Sequence, residues 1–436
     1  MDYAAALEHL EQHYSLELNP ATRATAPDLS RMRDLVQAMG DPHLGTPTIH
    51  VTGTNGKGST MRLITSLLVS HGLHVGGYTS PHLERINERI TSNGDALGDE
   101  AFADAIADVA AAEVVCRHRW DRDATFFEVL AAAALGWMAM APVDVRVIEV
   151  GMGGHWDATN VVDADVAVVT TVDYDHMATL GPTLADIATE KAGIVKPESR
   201  VVVGDLDDDI ADIIFGRPHQ GDGVRLGHGL VVEQNRLAVG GRIITVSTPR
   251  ATYDDVFVAL HGEHQARNAA VALAAVEEFF ERPIPRAIVD EAFAEVKVPG
   301  RFEVMRRQPL VVLDGAHNPS AATVAARTLY DDFATDTKPI LVAGFNAPRN
   351  LQEMFAALRA GSAAAVVATA ADWPRAFSAD RVAEEASQAG AEKVVWVPRV
   401  ADAVDRAIEL AGSDGIVLVT GSLYVVGEAR SHLSRR

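Results

Sequence analysis

The chain has 436 residues, 48% of them hydrophobic, with 60 acidic against 38 basic side chains, a formal net charge of −22 and one cysteine. The length predicts two folded domains or three small ones. The charge excludes nucleic acid as the main partner because no Lys/Arg cluster is present, and the lone Cys116 excludes an internal disulfide.

The N-terminus MDYAAALEHLEQHY is acidic and amphipathic, unlike a secretory signal. The apolar run from Val129 to Val143 is shorter than the ~20 residues that span a bilayer, so it predicts a buried helix. We therefore expect a cytoplasmic protein that does not bind membranes. The acidity fits a saline habitat or a high-GC genome equally well.

Up to about residue 295, short β-branched runs alternate with helical stretches, which predicts βαβ units around a mainly parallel sheet. The predicted strands are TIHVTG, HVGGYT, VRVIEVG, DVAVVTTV and RVVVGD, and the predicted helices span 59–71, 99–117, 125–140, 183–191 and 265–280. Glycine-punctuated alternation between 222 and 260 predicts a small antiparallel meander.

Pro299 and Gly300 interrupt the helical periodicity and predict a linker. Five further strands follow, PLVVLDG, PILVAGF, AAAVVATA, KVVWVP and GIVLVTGS, separated by helix-length segments. They predict a Rossmann-like domain, although no G-x-G-x-x-G follows its first strand to bind a dinucleotide. The predicted fold is α/β, with domains at 1–296 and 297–436.

The segment HVTGTNGKGST, residues 50–60, lies between a predicted strand and a predicted helix. It departs from the phosphate-loop pattern G-x-x-x-x-G-K-[ST], since Val51 takes the first position and Gly58 separates Lys57 from Ser59. Three glycines still allow backbone N–H groups to converge on an oxyanion at a helix N-terminus beside a lysine. An ordinary βα turn does not require a lysine between glycines, so the segment predicts triphosphate binding.

Polar side chains follow three predicted strands at the edge where this loop lies. They are Ser80, Glu149 and His176. Loops gather at the carboxyl ends of parallel strands, and a carboxylate there suits Mg²⁺. The alternatives are a helix cap for Ser80, a surface carboxylate or cap for Glu149 and a structural histidine for His176.

Ten motifs occur in an order and spacing that resembles folylpolyglutamate synthase and dihydrofolate synthase. They are VTGTNGKGST, TSPHLERINERI, TFFEVLAAAAL, IEVGMGGHWDATN, DHMATLG, EKAGIVKP, HGEHQARNAAVALAAVE, VPGRFE, DGAHNP and GSLYVVGEAR. The resemblance runs from about residue 30 to 430. It implies a P-loop central domain of the Mur-ligase type followed by a C-terminal glutamate ligase domain.

The resemblance implies a role for each matching residue. The implied metal ligands are Ser80, Glu149, His176 and Lys191; the implied nucleotide contacts are Thr54, Asn55, Gly56, Lys57, Gly58, Ser59, Asn268, Arg301 and Asp314; the implied acceptor contacts are Thr125, Phe126, Phe127, Glu128, Trp156, Asp157 and Ala158. Catalysis is assigned to Lys57, Lys191 and His317. The implied cofactors are ATP and Mg²⁺ at two sites.

Some of these residues have simpler explanations. Asp314 also suits a helix N-cap for the segment after Pro319, and one of the two phenylalanines suits the core. His317 is predicted to contact the incoming glutamate or the reacting carboxylate. His155 and Trp156 replace the Arg and Leu of the usual motif, which leaves the acceptor open.

A cationic Lys191 beside two Mg²⁺ ions would be repelled by them. The resemblance implies that CO₂ converts the amine to a carbamate, an anionic oxygen ligand. The alternative is a solvated lysine next to Glu190.

The sequence therefore predicts an ATP-dependent ligase that adds L-glutamate to a folate-type carboxylate through an acyl phosphate. Its substrates are dihydropteroate, tetrahydrofolate or both, and a monomer is expected. Three alternatives stay open: a Mur-family ligase for another carboxylate, such as a cell-wall precursor or another pterin; a P-loop kinase or motor ATPase; and a nucleotide-binding protein without activity.

Overall fold

The computed structural model describes residues 1–19, 28–333 and 337–435. In this part of the chain the strands form two sheets. The strands of the first sheet are β1 (Thr48–Thr52), β2 (Val75–Tyr78), β3 (Ile90–Ser92), β4 (Asp95–Ala96), β5 (Val145–Glu149), β6 (Val166–Val169), β7 (Arg200–Val203), β8 (Gln220–Leu226), β9 (Gly229–Ala238), β10 (Gly241–Ser247) and β11 (Thr252–Val258). The α/β prediction is confirmed.

The first sheet runs in the order β11-β10-β9-β8-β7-β6-β1-β5-β2-β3-β4. Its centre is parallel from β2 to β8, with β1 between β5 and β6. The predicted meander is present as antiparallel β9, β10 and β11. It extends the central sheet through β8 and so covers an edge that would otherwise expose unpaired backbone groups.

Helices cover both faces of this sheet. They are α1 (Tyr3–Glu11), α2 (Ser30–Ala38), α3 (Lys57–Ser70), α4 (Asp99–Cys116), α5 (Phe126–Met140), α6 (Met177–Leu180), α7 (Leu184–Lys191), α8 (Asp208–Phe215), α9 (Glu263–Phe280) and α10 (Arg286–Glu295). One core packs α3 with α9 and α10, and a second packs α1, α2, α4 and α5. The five predicted helices agree with α3, α4, α5, α7 and α9 to within about two residues, the usual scatter of helix ends.

The second sheet contains β12 (Glu303–Arg307), β13 (Leu310–Asp314), β14 (Ile340–Ala343), β15 (Ala365–Ala370), β16 (Val394–Arg399) and β17 (Ile416–Thr420), in the order β12-β13-β17-β14-β15-β16. The five predicted strands are all present and parallel. β12 was not predicted and lies antiparallel to β13 at the edge. The covering helices are α11 (Pro319–Asp332), α12 (Leu351–Ala357), α13 (Ala379–Gln388), α14 (Val400–Ala411) and α15 (Leu423–Ser434).

The central parallel strands of both sheets are buried on both faces, whereas β8 and the edge strand β16 are partly exposed. Strands β1, β5 and β17 have every residue buried, as in sheets sandwiched between helix layers. Side chains at the strand ends therefore lie in the loops at the carboxyl edge, which is where ligands reach such sheets. Within the described ranges, no helix is long and apolar enough to cross a membrane.

Candidate active site

The glycine-rich loop is held in place by Thr171, which lies just beyond the end of β6. Asn55 N–H donates to Thr171 Oγ1 at 2.9 Å, and Thr54 N–H donates to the Thr171 carbonyl at 2.8 Å. Gly56 is the N-cap of α3 with φ of 86°, a conformation that favours glycine, so that α3 begins at Lys57. The free N–H groups of the first turn of α3 therefore face the loop, as an anion site requires.

Lys57 folds back over this loop. Its Nζ donates to the carbonyl oxygens of Gly53 at 3.0 Å and Thr54 at 3.4 Å. The lysine lines a cleft together with residues from both parts of the chain: Thr52, Gly53, Thr54, Val150, Gly151, Met152, Gly153, Asp175, His176, Leu180, Lys191 and His317. The structure thus brings together all three residues predicted to be catalytic.

Glu149 lies buried at the end of β5, close to the glycine-rich loop. A Cβ placed on Gly58 would be 3.7 Å from Glu149 Oε2. The Thr79 hydroxyl donates to Oε2, and the Ser80 N–H also donates to this carboxylate. Burial raises the pKa of Glu149, while the charge of Lys57 opposes that rise. Ser80 is thus adjacent to Glu149, but its backbone and the unpredicted Thr79 make the contact.

Asp175 is a buried carboxylate that joins the two sheets. It accepts from Arg349 Nη1 at 2.8 Å and from Asn318 Nδ2 at 3.2 Å. Both donors belong to the part of the chain from β12 to α15 that forms the second sheet and its helices, which we call the second sheet unit. Burial alone would raise its pKa, but His176 and Arg349 hold the pKa of Asp175 well below its usual range. The carboxylate is therefore ionised and fixed at the base of the cleft.

The two histidines of the cleft flank this carboxylate. His176 Nε2 lies 3.9 Å from Asp175 Oδ1, and His317 Nε2 lies 3.9 Å from Oδ2. The Nδ1 of His317 is 3.0 Å from the Gly315 carbonyl, which orients the ring. The walls of the cleft lower the pKa of each ring below its ordinary value, although 44% of the His176 side chain and 36% of the His317 side chain stay exposed. Both imidazoles are therefore neutral near pH 7.

Lys191 is the last residue of α7 and is almost completely buried, with 3% of its surface exposed. The alternative of a solvated lysine is therefore wrong. Burial, followed by the charge of Lys57, lowers the pKa of Lys191 to about 7. The amine thus lies in the same cleft as Lys57 and is neutral for a large fraction of the molecules at neutral pH.

The predicted nucleotide contacts form a second group near the loop. Asn268 in α9 donates to Gln265 Oε1 at 2.9 Å, and a Cβ on Gly56 would lie 2.8 Å from Asn268 Oδ1. Arg301 lies near enough to Glu149 and Asp314 for its charge to oppose the rise that burial causes in their pKa values. Gln265, which donates to Ser59 Oγ at 3.4 Å, was not predicted.

Asp314 is not the helix N-cap that its sequence position suggested. It accepts from the N–H groups of Phe302 and Ala316, both at 3.0 Å. Asn318 caps α11 instead, since its Oδ1 accepts from Ala321 N–H at 2.8 Å. Asp314 therefore fixes the loop that carries Arg301 against the end of β13.

The predicted acceptor residues gather around Gly151, which follows β5 and also lines the cleft. Phe127 packs against Tyr78 with ring centroids 5.8 Å apart, and a Cβ on Gly151 would clash with the Phe127 ring. Asp157 accepts from Met152 N–H at 2.9 Å and from Thr159 Oγ1 at 2.6 Å, which fixes the loop after β5. Trp156 is half-buried beside Gly153, while Ala158 is buried. The structure thus joins the two predicted acceptor segments at Gly151.

Within the first segment, Thr125 and Glu128 are engaged with each other. Thr125 Oγ1 accepts from Glu128 N–H at 3.2 Å, and Glu128 Oε2 accepts from Thr125 N–H at 2.7 Å, which forms a capping box at the start of α5. Arg31 Nη2 also donates to Glu128 Oε1 at 3.0 Å. These two residues therefore shape the segment, while the rings of Phe126 and Phe127 are left partly exposed.

Comparison with known proteins agrees with this arrangement. The Mur ligase middle domain matches residues 51–276, and the Mur ligase glutamate ligase domain matches residues 300–423. A dihydrofolate synthase/folylpolyglutamate synthase of Mycobacterium tuberculosis is 35% identical over 95% of this chain and 92% of that protein. A probable bifunctional folylpolyglutamate synthase/dihydropteroate synthase of Haloferax volcanii is 36% identical over the whole chain, which spans 51% of that protein.

Solved structures show the same likeness. The folylpolyglutamate synthase of Mycobacterium tuberculosis complexed with ADP superposes with a TM-score of 0.91 at 32% identity, covering all of both chains. An Escherichia coli structure in complex with DHPP and ADP superposes with a TM-score of 0.86 at 29% identity, covering 100% of this chain and 98% of that one. The chain belongs to the folylpolyglutamate synthase/dihydrofolate synthase family of Mur ligases.

Proposed function

We propose that the chain joins L-glutamate to a folate-type carboxylate in an ATP-dependent reaction. The observation that carries this proposal is the cleft in which Lys57, at the start of α3, lies with Lys191 and the two neutral histidines. The ligands bound in the structural relatives, ADP and DHPP, support ATP and a pterin-type acceptor as substrates. A kinase or motor ATPase would need no cleft shared with a glutamate ligase domain.

The reaction proceeds in two steps. An oxygen of the acceptor carboxylate takes the γ-phosphoryl group of ATP, which gives an acyl phosphate and ADP. The α-amine of glutamate then attacks the acyl carbon, the new C–N bond forms, the C–O bond to phosphate breaks, and phosphate and a proton are released. The protein contributes positioning and charge neutralisation, which dominate phosphoryl-transfer catalysis.

The chain's own residues bind and orient the two ends of this reaction. The first turn of α3 and Lys57 hold the phosphates, with Thr54, Asn55, Gly58 and Ser59 supplying the rest of the loop. Asn268, Arg301 and Asp314 hold the nucleotide. His317 comes from the second sheet unit and, with its Nδ1 tied to the Gly315 carbonyl, presents Nε2 to the reacting carboxylate or the incoming glutamate.

Magnesium fits the oxygen ligands beside the glycine-rich loop, where Glu149 lies near Gly58 and directly precedes Val150 of the cleft wall. The Glu149 carboxylate is ionised most readily beside a cation, since burial alone raises its pKa, and the hydroxyl of Ser80 and the neutral imidazole of His176 complete the donor set. We assign these residues as ligands at two Mg²⁺ sites. Bound Mg²⁺ would neutralise charge on the phosphates during transfer. His176 has φ of 51°, a strained backbone that is common at functional positions.

A carbamate on Lys191 would complete the second metal site. The buried amine shares the cleft with Lys57, whose charge it must tolerate, and no other described side chain donates to or accepts from its Nζ. Conversion to a carbamate replaces a cation with an anionic oxygen ligand and removes the repulsion. The lowered pKa of the amine supports this assignment because CO₂ reacts with the neutral form.

The acceptor binds beside Gly151, between the first turn of α5 and the loop around Asp157. Phe126 and Phe127 offer faces for stacking on a flat heterocycle. Dihydropteroate and tetrahydrofolate both present such a ring and a carboxylate. The names of the relatives favour an enzyme that acts on both in turn.

The proposal is tested by incubating the purified protein with ATP, Mg²⁺, L-glutamate and each acceptor, and weighing the products by mass spectrometry. We expect ADP release that requires glutamate, and products that carry one or more added glutamates. Lys57→Ala should abolish turnover while the protein stays folded. ADP release at the same rate without glutamate would contradict the proposal. The expected monomer and cytoplasmic location stay predictions.

A further inference from the structure

Far from the cleft, the N-terminal segment brings two histidines and a glutamate together. His9 lies in the last turn of α1, His13 lies two residues beyond the end of that helix, and Glu113 lies in α4. The two Nε2 atoms approach different oxygens of the same carboxylate, at 2.9 Å each. In the described part of the chain, this is the only group of three or more His, Cys, Asp or Glu residues whose ligand atoms all lie within 4.8 Å of one another.

The cluster has the chemistry of a transition-metal site. Two imidazoles and one carboxylate are a ligand set that binds Zn²⁺. The His9 and His13 rings lie edge to face with centroids 4.7 Å apart, and both present Nε2 to Glu113. In a tetrahedral site with bonds of about 2.1 Å, neighbouring ligand atoms are about 3.4 Å apart, so each Nε2–oxygen contact of 2.9 Å is close to the spacing that ligation requires.

The orientation of His13 supports ligation through Nε2. Its Nδ1 lies 2.8 Å from the His9 carbonyl, so an Nδ1–H donates to the backbone and Nε2 points at Glu113. Metal-binding histidines are usually oriented by such a second hydrogen bond, which fixes the tautomer. The side chains of His13 and Glu113 are 6% and 11% exposed, whereas that of His9 is 23% exposed, which leaves one side open to an entering ion.

The Glu113 carboxylate, which both Nε2 atoms approach, supplies the negative charge that attracts a divalent cation. We propose that His9, His13 and Glu113 form a structural site for a divalent transition metal, and Zn²⁺ is the ion used to test it.

Such a site would fasten the N-terminal segment to α4 close to the acceptor side of the protein. The carbonyl of Tyr14, next to His13, accepts from Phe126 N–H at 3.0 Å at the start of α5. A bound metal would therefore stiffen the segment that abuts Phe126. This consequence for the acceptor rests on the proposed function, whereas metal binding itself does not.

The test uses the full chain, stripped with a chelator and then titrated with ZnCl₂ in excess Mg²⁺, which occupies the oxygen ligands of the cleft. Bound zinc is measured by mass spectrometry of the metal, and affinity by competition with a chromogenic chelator. Glu113→Gln, His9→Ala and His13→Ala should each weaken one zinc site by more than about tenfold, the loss that even an outer-shell partner causes. The control is His118→Ala, an exposed histidine just beyond α4.

Two further readouts separate a site from a general loss of stability. Co²⁺ should give visible absorption bands of a low-coordinate site in the wild type and in His118→Ala, and not in His9→Ala, which changes the most exposed ligand and should fold. Zn²⁺ should raise the melting temperature of the wild type and of His118→Ala, and should not raise that of His9→Ala. If wild type and Glu113→Gln bind equal amounts of zinc with equal affinity, or if wild type binds none, the proposal is wrong, whatever the outcome of the ligase assay.

Discussion

Lys191 is a lysine that the fold keeps out of water although it carries no ion pair among the described residues. Its burial and the nearby charge of Lys57 lower its pKa to about 7, so the protein destabilises the charged ammonium form of this side chain. A residue held this way is suited to a reaction of its free amine. The carbamate proposed above uses that property, and it accounts for a lysine whose position next to the proposed metal site would otherwise be unfavourable.

We expect Lys191→Ala to lower turnover by a factor of about 100 or more, the typical cost of losing a group that stabilises charge in the transition state. A short carboxylic acid, which supplies the missing anion, should restore part of that activity. ADP release with and without the acid measures the effect. Lys393→Ala, an exposed lysine of the second sheet unit, is the control and should show no change. Full activity of Lys191→Ala without any additive would remove the carbamate from the mechanism.

Some residues of the cleft were predictable from the sequence and others were not. Lys57 and Glu149 follow strands and carry charge, so their position at the sheet edge could be inferred. Asp175 precedes His176 in the same motif, but its partner Arg349 lies 174 residues further on in a loop without a recognisable pattern. Long-range ion pairs of this kind depend on how the two sheets pack, which the local pattern does not record.

At the scale of single elements, the start of α5 depends on a reciprocal pair of hydrogen bonds. Thr125 satisfies a free N–H of the first turn, and Glu128 returns a hydrogen bond while also pairing with the buried Arg31. The residues that the resemblance assigns to the acceptor thus have a structural duty as well. Their loss would move Phe126 and Phe127 before it removed any contact to a ligand.

Replacing Thr125 tests this duty. Thr125→Ala should lower the free energy of unfolding by about 1 kcal/mol, the usual value of a side-chain N-cap. It should also raise the KM for the acceptor more than it lowers kcat, since the aromatic rings lose their fixed position. Thr125→Ser keeps the hydroxyl and should behave like the wild type in urea unfolding and in kinetics. Equal losses for Ala and Ser would show that the methyl group, not the cap, matters.

The strands that the sequence did not predict were missed for a common physical reason. The hairpin of β3 and β4 and the edge strand β12 are short or partly exposed, so their side chains carry little hydrophobic periodicity. The strands that were predicted, such as β1 and β5, are buried on both faces and read as continuous apolar runs. Similarly, the meander was recognised as antiparallel, but its pairing with β7 through β8 depends on tertiary contacts alone.

At the scale of the whole molecule, the cleft exists because several polar contacts hold the second sheet unit against the first. Asn318 donates to Asn55 Oδ1 at 3.0 Å, directly on the glycine-rich loop. On another side, Arg242 pairs with Asp332 at 2.8 Å, with both side chains largely buried. The glycine-rich loop is therefore in contact with the unit that supplies His317, so a shift between the units changes both at once.

Glu17, in the N-terminal segment, contacts both units: its carbonyl accepts from Arg375 of the second sheet unit. It pairs with Arg89, whose side chain is completely buried, while its own is 26% exposed. Burial alone would raise the pKa of Glu17, but the charge and hydrogen bonds of Arg89 lower it below the ordinary value. A carboxyl whose folded pKa is lowered adds stability above its unfolded pKa of about 4.3, and that stability is lost as the pH falls through the folded pKa.

We therefore expect Glu17→Gln to destabilise the protein by about 3 kcal/mol near neutral pH, because Arg89 is left buried without its partner. The difference from wild type should shrink as the pH falls below the unfolded pKa of about 4.3 and the wild-type carboxyl takes up its proton. Urea midpoints near neutral pH and at acid pH measure it. Glu409→Gln, in an exposed pair with Arg406, is the control and should change stability by less than about 0.5 kcal/mol. A difference that does not depend on pH would contradict the prediction.

The pair of Asp175 and Arg349 should couple the two units energetically. Arg349→Ala leaves a buried carboxylate with only Asn318 as its cross-unit donor, so it should cost about 3 kcal/mol, and Asp175→Asn should cost a similar amount. The double variant removes the buried charge together with its partner and should cost less than the sum of the two, by about 1 kcal/mol or more. Thermal unfolding of the four proteins completes the cycle, with Arg399→Ala, from an exposed pair, as the control. Additive losses would mean that the ion pair does not hold the units together, and the cleft would then depend on the apolar contacts and on Asn318 for its shape.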